Sequence, residues 1–111
     1  AAPGALPFAR LVADDRAYIE AHHGRLLVRP APALAGMLEI RGLGIRRLPY
    51  EPAAVVGLVV DLAAPDAARL PEPAALTVTL AGVRLPRLPI PPGQTALPAV
   101  LAHLKSLPAA N

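Results

Sequence analysis

Leu38-Glu39-Ile40-Arg41-Gly42-Leu43-Gly44-Ile45 lies near the middle of a 111-residue chain and carries much of its chemical information. A short apolar segment presents an acid and a base with one residue between them, then meets two glycines in three positions. Glu39 offers carboxylate oxygens of the kind Mg²⁺ takes in small number; the competing reading is an exposed strand acid paired with Arg41. Arg41 has the planar fork that grips phosphate or carboxylate bidentately. Gly42 and Gly44 allow the backbone to approach a bound group closely, or simply make a tight bulge. With no third glycine in register, the segment is not a dinucleotide fingerprint.

Upstream, Arg10 to Ala13 is a short apolar run that meets Asp14 and Asp15. A buried strand ending in acids is how a parallel sheet delivers carboxylates to its edge. Adjacent residues on such a strand point in different directions, so one carboxylate can face a nucleophile and the other a metal or a cation. The competing reading is that both acids cap the following turn. Ala17 to Glu20 and Arg25 to Arg29 flank His22-His23-Gly24, which predicts a hairpin with Gly24 supplying a positive φ. The two adjacent histidines suit a solvated turn better than a shared metal. Ala33 to Leu38 reads as a short helix or turn.

Downstream, the fifteen prolines of the chain mark the breaks between elements. Ala53 to Leu62 is a continuous β-branched run, the pattern of a strand covered on both faces. Leu76 to Leu80 alternates apolar residues with Thr77 and Thr79, which predicts a strand with one wetter face. Arg84 to Ile90 is extended and broken by prolines, which favours a sheet edge; Arg84 and Arg87 could lie near an acidic partner or phosphate, but read by default as solvated edge arginines. Leu97, Val100, Leu101, Leu104 and Leu107 recur at helical spacing, so Ala96 to Leu107 predicts a closing amphipathic helix with Pro98 in its first turn. Tyr18 and Tyr50 read as packing residues. The expected fold is α/β, with one sheet built from the Arg10, Ala53 and Leu76 segments.

Composition narrows the function classes. Hydrophobic residues make up 54% and charged residues 17% of the chain, enough apolar material for a core and too little charge for disorder. There is no cysteine, which excludes disulfides and thiolate metal sites. No apolar run reaches the roughly 18 residues of a membrane span, so no membrane partner is expected. The net charge of +3 is carried by scattered arginines with Lys105 as the one lysine, and stacking aromatics are scarce. Nucleic-acid binding needs a clustered basic face and is not expected. The chain opens Ala1-Ala2-Pro3-Gly4, without an initiator Met or the basic and apolar regions of a signal peptide.

Two segments taken together carry a resemblance: Leu11-Val12-Ala13-Asp14-Asp15, and Leu38 to Ile45 preceded by Ala31-Pro32-Ala33-Leu34. They resemble the HPr serine kinase/phosphorylase family, in which an L-V-A-D-D strand end is followed by an L-E-I-R-G-L-G-I signature at similar spacing. Further along, Val59-Val60-Asp61-Leu62, Gly82-Val83-Arg84-Leu85-Pro86 and Ile90-Pro91 with Pro92-Gly93 are similar to the family's later segments. The similarity runs from Arg10 to near Leu104, and the short hairpins resemble the compact alphaproteobacterial members. The resemblance implies a P-loop kinase-like fold of the HPr kinase/phosphoenolpyruvate carboxykinase type, incomplete at its N-terminus. Residues 10–111 would form the C-terminal catalytic domain, and residues 1–9 an irregular segment where the P-loop region is expected.

The resemblance also implies chemistry. Asp14 would orient or deprotonate the substrate serine, with Asp15 as its supporting partner and Arg41 as a further catalytic residue. Glu39 and Asp15 would hold Mg²⁺. Gly42, Gly44 and Gly93 would lie at the nucleotide. The cofactors implied are Mg²⁺ and ATP, the partner is the phosphocarrier protein HPr, the assembly is a homo-oligomer (a hexamer in the family), and the location is cytoplasmic. Asp14 and Glu39 are expected near one another on the sheet's C-terminal side. The departures are as informative. Phosphate binding by a P-loop needs glycines whose N–H groups wrap the phosphate, then Lys and Ser or Thr. Lys105-Ser106 is the one Lys-Ser pair and no such glycines precede it. Ala1 to Ala9 is too short for the loop and its helix, so the motif is expected to be absent, truncated or disordered. Gln94 follows Gly93 where the family has arginine near its Pro-Gly turn. A second function class therefore stands beside the enzyme: a non-catalytic remnant that binds an HPr-like partner or assembles with full-length subunits.

Overall fold

The computed structural model describes residues 9–105, which form two compact units. The first runs to Val56 and takes in Ala81–Val83; the second comprises Gly57–Leu80 and the chain from Arg84. All but one residue of the expected irregular segment 1–9, and Leu107 of the expected helix, lie outside the described residues.

The first unit is built from two hairpins. β1 (Ala17–His22) and β2 (Arg25–Pro30) pair antiparallel over their full length, from Ala17 opposite Pro30 to His22 opposite Arg25. Their two-residue turn is His23-Gly24, with φ +51 and +76. Two positive φ values are what the favoured hairpin turn of a right-twisted ribbon requires, and glycine at the second meets this without a Cβ penalty. A 3-10 turn at Pro32–Leu34 leads through Ala35-Gly36 into β3 (Met37–Ile40), which pairs with β4 (Gly44–Arg47). β5 (Ala54–Val55) adds to the outer side of β2, giving the sheet order β1-β2-β5.

The second unit holds a three-stranded sheet of order β6-β8-β7, formed by β6 (Val59–Asp61), β7 (Thr77–Leu80) and β8 (Val83–Pro89), the first residue of β8 counting with the first unit. β6 and β8 are parallel, with Val59 opposite Arg87. The helix α1 (Leu97–Lys105) closes the described chain, with Pro98 in its first turn where no helical N–H is lost.

Several expectations are corrected. The described residues form two- and three-stranded sheets and no single sheet from the Arg10, Ala53 and Leu76 segments. Leu11 makes only an isolated parallel bridge to Tyr50, and the chain bends at Val12 and again at Asp14 and Asp15. The apolar run Ala53 to Leu62 is divided at Val56-Gly57-Leu58 into β5 and β6, which belong to different sheets and different units. A β-branched run therefore did not mean one strand covered on both faces: Val55 is 53% exposed. The 3-10 turn ends at Leu34, and Met37 and Leu38 are already in β3.

β8 lies in the middle of its sheet despite Pro86 and Pro89. Its pairing to β6 begins only at Arg87, past Pro86. Ile90 N donates to Asp61 O at 2.9 Å. Since successive N–H groups alternate in direction along a strand, Pro89 falls where β6 needs no donor. Leu85, Pro89 and Ile90 are buried with Ala64 in the core of the second unit, and Leu26 and Ala31 in that of the first.

Candidate functional site

The signature hairpin carries the site. Ile40 pairs with Gly44 across the turn Arg41-Gly42-Leu43, and Leu43 N donates to Ile40 O at 2.9 Å. Gly42 has φ +88 at the third position of this turn, as a type II turn demands. The hairpin is held at its open end, where Leu48 N donates to Gly36 O at 2.8 Å. Antiparallel pairing sets Met37 opposite Arg47 and Glu39 opposite Ile45. Directly opposed residues share a face, so these four side chains stand on one side of the hairpin.

That face meets the two acids. The backbone N–H of Glu39 donates to Asp14 Oδ2 at 3.1 Å, across 25 positions of sequence. Asp14, Asp15, Leu34, Met37, Glu39 and Ile45 line one cavity of about 440 Å³. The chain reaches it from an anchor: Glu51 N donates to Leu11 O at 2.8 Å, and Arg10 pairs with Glu51 at 3.2 Å. Asp14, Asp15 and Glu39, all exposed carboxylates, therefore share one rim. Glu39 uses its main chain, not its side chain, to hold Asp14, which leaves its carboxylate available. The competing reading of Glu39, a pair with Arg41, is not made among the described residues. Arg41 sits exposed in the turn, with no ion pair among the described residues.

The remaining sequence candidates fall elsewhere. Gly44 opens β4 with φ +87 in the same hairpin as Gly42. Gly93 belongs to the second unit, in a turn closed by Gln94 N donating to Pro91 O at 3.2 Å. His22 and His23 are exposed at the tip of the first hairpin with their rings edge to face. Tyr18 is 51% exposed and Tyr50 38%; instead of filling a core, both line a shallow groove with Pro30, Pro32 and Pro52.

Arg87 corrects the reading of solvated arginines. Its side chain is only 12% exposed and bonds Asp61 Oδ2 at 2.8 Å, both oxygens of Asp66 at 2.8 and 2.9 Å, and Ala75 O at 2.8 Å. The hydrogen bond from Arg87 holds the Asp66 carboxyl below its usual range, and the two carboxylates raise the guanidinium further above its own. This is a brace within the second unit. Reading it from sequence would have required knowing that β6 and β8 are parallel neighbours.

The donor set decides what the site can hold. Among the described residues no group of three or more His, Cys, Asp or Glu side chains is arranged to hold a metal by itself. The carboxylates on the cavity rim are nevertheless the hard oxygen donors that suit Mg²⁺, which normally takes one or two of them and completes its shell with phosphate and water. Glu39 and Asp15 fit that partial role. For a nucleotide, the 111 residues contain no glycine-rich loop ending in Lys and Ser or Thr. No helix of the described residues is long and apolar enough to cross a membrane.

No family model matches the chain, and no curated protein matches it. Among solved structures, the HPr(Ser) kinase/phosphatase from Coxiella burnetii superposes with a TM-score of 0.66 at 23% identity, over 86% of this chain. The chain spans 66% of the length of that protein. The mixed α/β fold of this chain, with its short sheets and C-terminal helix, is the fold of that HPr(Ser) kinase/phosphatase.

Proposed function

We propose that the chain carries the acceptor side of an HPr-type serine kinase/phosphorylase site. Asp14 orients the acceptor hydroxyl and takes its proton as phosphate transfers. Asp15 and Glu39 supply oxygens to a Mg²⁺ ion, and Arg41 steadies the anionic group. Mg²⁺, when bound, would neutralise phosphate charge. The substrate would be a serine of the phosphocarrier protein HPr, in the cytoplasm, and the family's reverse phosphorolysis would use the same carboxylate. The observation that carries this reading is the 3.1 Å bond from Glu39 N to Asp14, which joins Asp14 to the signature hairpin at one cavity.

Phosphoryl transfer is catalysed mainly by positioning and by neutralising phosphate charge. Preorganised donors of this kind are worth roughly 3–4 kcal/mol each, so these 111 residues, which lack the phosphate loop, should transfer phosphate negligibly. The test is radiolabelled transfer from ATP to a matched HPr, comparing this chain with one extended upstream through a Gly-Lys-Ser loop. Transfer by the extended chain alone is the expected result. Equal rates from both would place nucleotide binding in another segment. No transfer by either would favour a second reading, a non-catalytic module that docks on an HPr-like partner or joins full-length subunits in a homo-oligomer. Exposed apolar side chains such as Ile45 (69%), which lines the same cavity, and Leu43 (61%), in the turn of the same hairpin, favour that alternative.

A further inference from the structure

The acidic rim needs a cation, and the hairpin provides one that the sequence reading passed over. We propose that Arg47 holds the phosphate group of the substrate or product against this rim, whereas its neighbour Arg46 does not. The inference rests on the phosphotransfer reading and adds a positioning residue to it. Arg47 is opposite Met37 and diagonal to Glu39 in the β3–β4 ladder. A diagonal cross-strand neighbour lies about 7–8 Å away, within reach of a long side chain. Arg47 therefore shares the face of Met37, Glu39 and Ile45, three residues that line the cavity with Asp14 and Asp15.

Arg46 is opposite Leu38, on the other face of the same hairpin. Both arginines are exposed, and neither forms an ion pair among the described residues. The backbone that carries Arg47 is pinned on both sides, by the Met37 pairing and by the bond from Leu48 N to Gly36 O. A guanidinium on a fixed strand loses less freedom on gripping a phosphate than one on a loose loop, and its fork matches two phosphate oxygens. Arg47 does not itself line the cavity, but three carboxylates on one rim repel a dianion, so a cation reaching over from the same face would help decide whether phosphate can stay there.

The test uses the full chain and two probes, inorganic phosphate and a phosphoserine peptide, titrated at low ionic strength and followed by backbone amide shifts. Arg47→Gln and Arg46→Gln remove the same charge from opposite faces, and both sites are exposed, so both variants should fold as the parent does. Arg47→Gln should weaken binding by roughly fivefold and Arg46→Gln by less than twofold, as expected for one exposed charge-assisted contact. Asp14→Asn should tighten binding, because it removes a repelling charge from the same rim. Stronger binding of the peptide would assign the site to the phosphoprotein, and of the free ion to inorganic phosphate. Equal losses from the two arginine variants, or no shifts near β3 and β4 with either probe, would overturn the proposal. The proposed reaction fails separately, in the transfer assay, without altering this contrast.

Discussion

Gly24 and Gly36 make a matched pair that separates two causes of glycine dependence. Their φ angles are +76 and +77. A Cβ at Gly24 would meet nothing within 4 Å, whereas one at Gly36 would stand 2.9 Å from Tyr50 Cδ1 and 3.2 Å from both Tyr50 Cε1 and Leu48 O. Each Gly→Ala change should cost about 1–2 kcal/mol for the left-handed backbone alone. At Gly36 the carbon would lie well inside the 3.5–4.0 Å optimum for carbon contacts. The Tyr50 ring is 38% exposed and can swing outward, but Leu48 is tied back to Gly36 by its own N–H and cannot. Overpacking of this kind adds roughly 1–3 kcal/mol. Gly24→Ala should therefore cost about 1–2 kcal/mol and Gly36→Ala about 2–5 kcal/mol. Urea unfolding followed by tyrosine fluorescence reads this directly: the two tyrosines are Tyr18 and Tyr50, both in the first unit, and there is no tryptophan. Adding Tyr50→Ala to Gly36→Ala should recover part of the loss. Equal midpoints for Gly24→Ala and Gly36→Ala would refute the packing argument.

Other outcomes follow from single contacts. Leu26 is 1% exposed, so Leu26→Ala should cost about 2–5 kcal/mol in the same assay. In a chain extended through a phosphate loop, Asp14→Asn should lower transfer by roughly 10²–10⁴-fold, the usual contribution of a positioned acid or base. Asn keeps an acceptor for Glu39 N, so its unfolding midpoint should stay near that of the parent, while Asp14→Ala should lose about 0.5–1.5 kcal/mol. The Asp66 carboxyl is held below its ordinary value of 3.8 by Arg87, so it contributes stability that is present above that pH and lost as pH falls through the lowered value. Acid unfolding of the second unit, followed by amide shifts, should therefore be less steep below pH 4 in Arg87→Leu than in the parent. An unchanged acid limb would show that the Asp66 contact contributes nothing.

What could be read from sequence was local. Gly24 marked the first hairpin because a two-residue turn needs positive φ, and the helical spacing of Leu97, Val100, Leu101 and Leu104 marked α1. The juxtaposition of Asp14 and Glu39 came from a resemblance, since no periodicity links residues 25 positions apart. The failures lay where pairing partners decide the outcome. Leu11 to Ala13 looks like a strand, but finds one bridging partner at Tyr50. Val55 and Val59 belong to one apolar run, but the chain leaves one sheet after Val55 and enters another at Val59. Arg87 looked solvated because neither Asp61 nor Asp66 is its neighbour in sequence. Prolines in β8 argued for an edge, and only the position of each missing N–H explains why the strand is central.

The way Asp14 is held bears on how its variants should be interpreted. Its carboxylate accepts from Glu39 N, but its backbone does not depend on that bond. Three residues upstream, Leu11 is fixed by its bridge to Tyr50 and by the bond from Glu51 N. The Arg10–Glu51 pair lies beside these, although an exposed pair of this kind contributes little. Three residues downstream, β1 begins at Ala17 and Ala31 N donates to Arg16 O at 3.3 Å. Asp14 and Asp15 thus sit on a short span tied at both ends, and every tie lies within the first unit. Removing the carboxylate frees one side chain and leaves the span in place. A large loss of transfer in Asp14→Asn, with stability near that of the parent, would then be chemical in origin. A comparable loss from breaking the Leu11–Glu51 anchor, with both carboxylates intact, would be a loss of position.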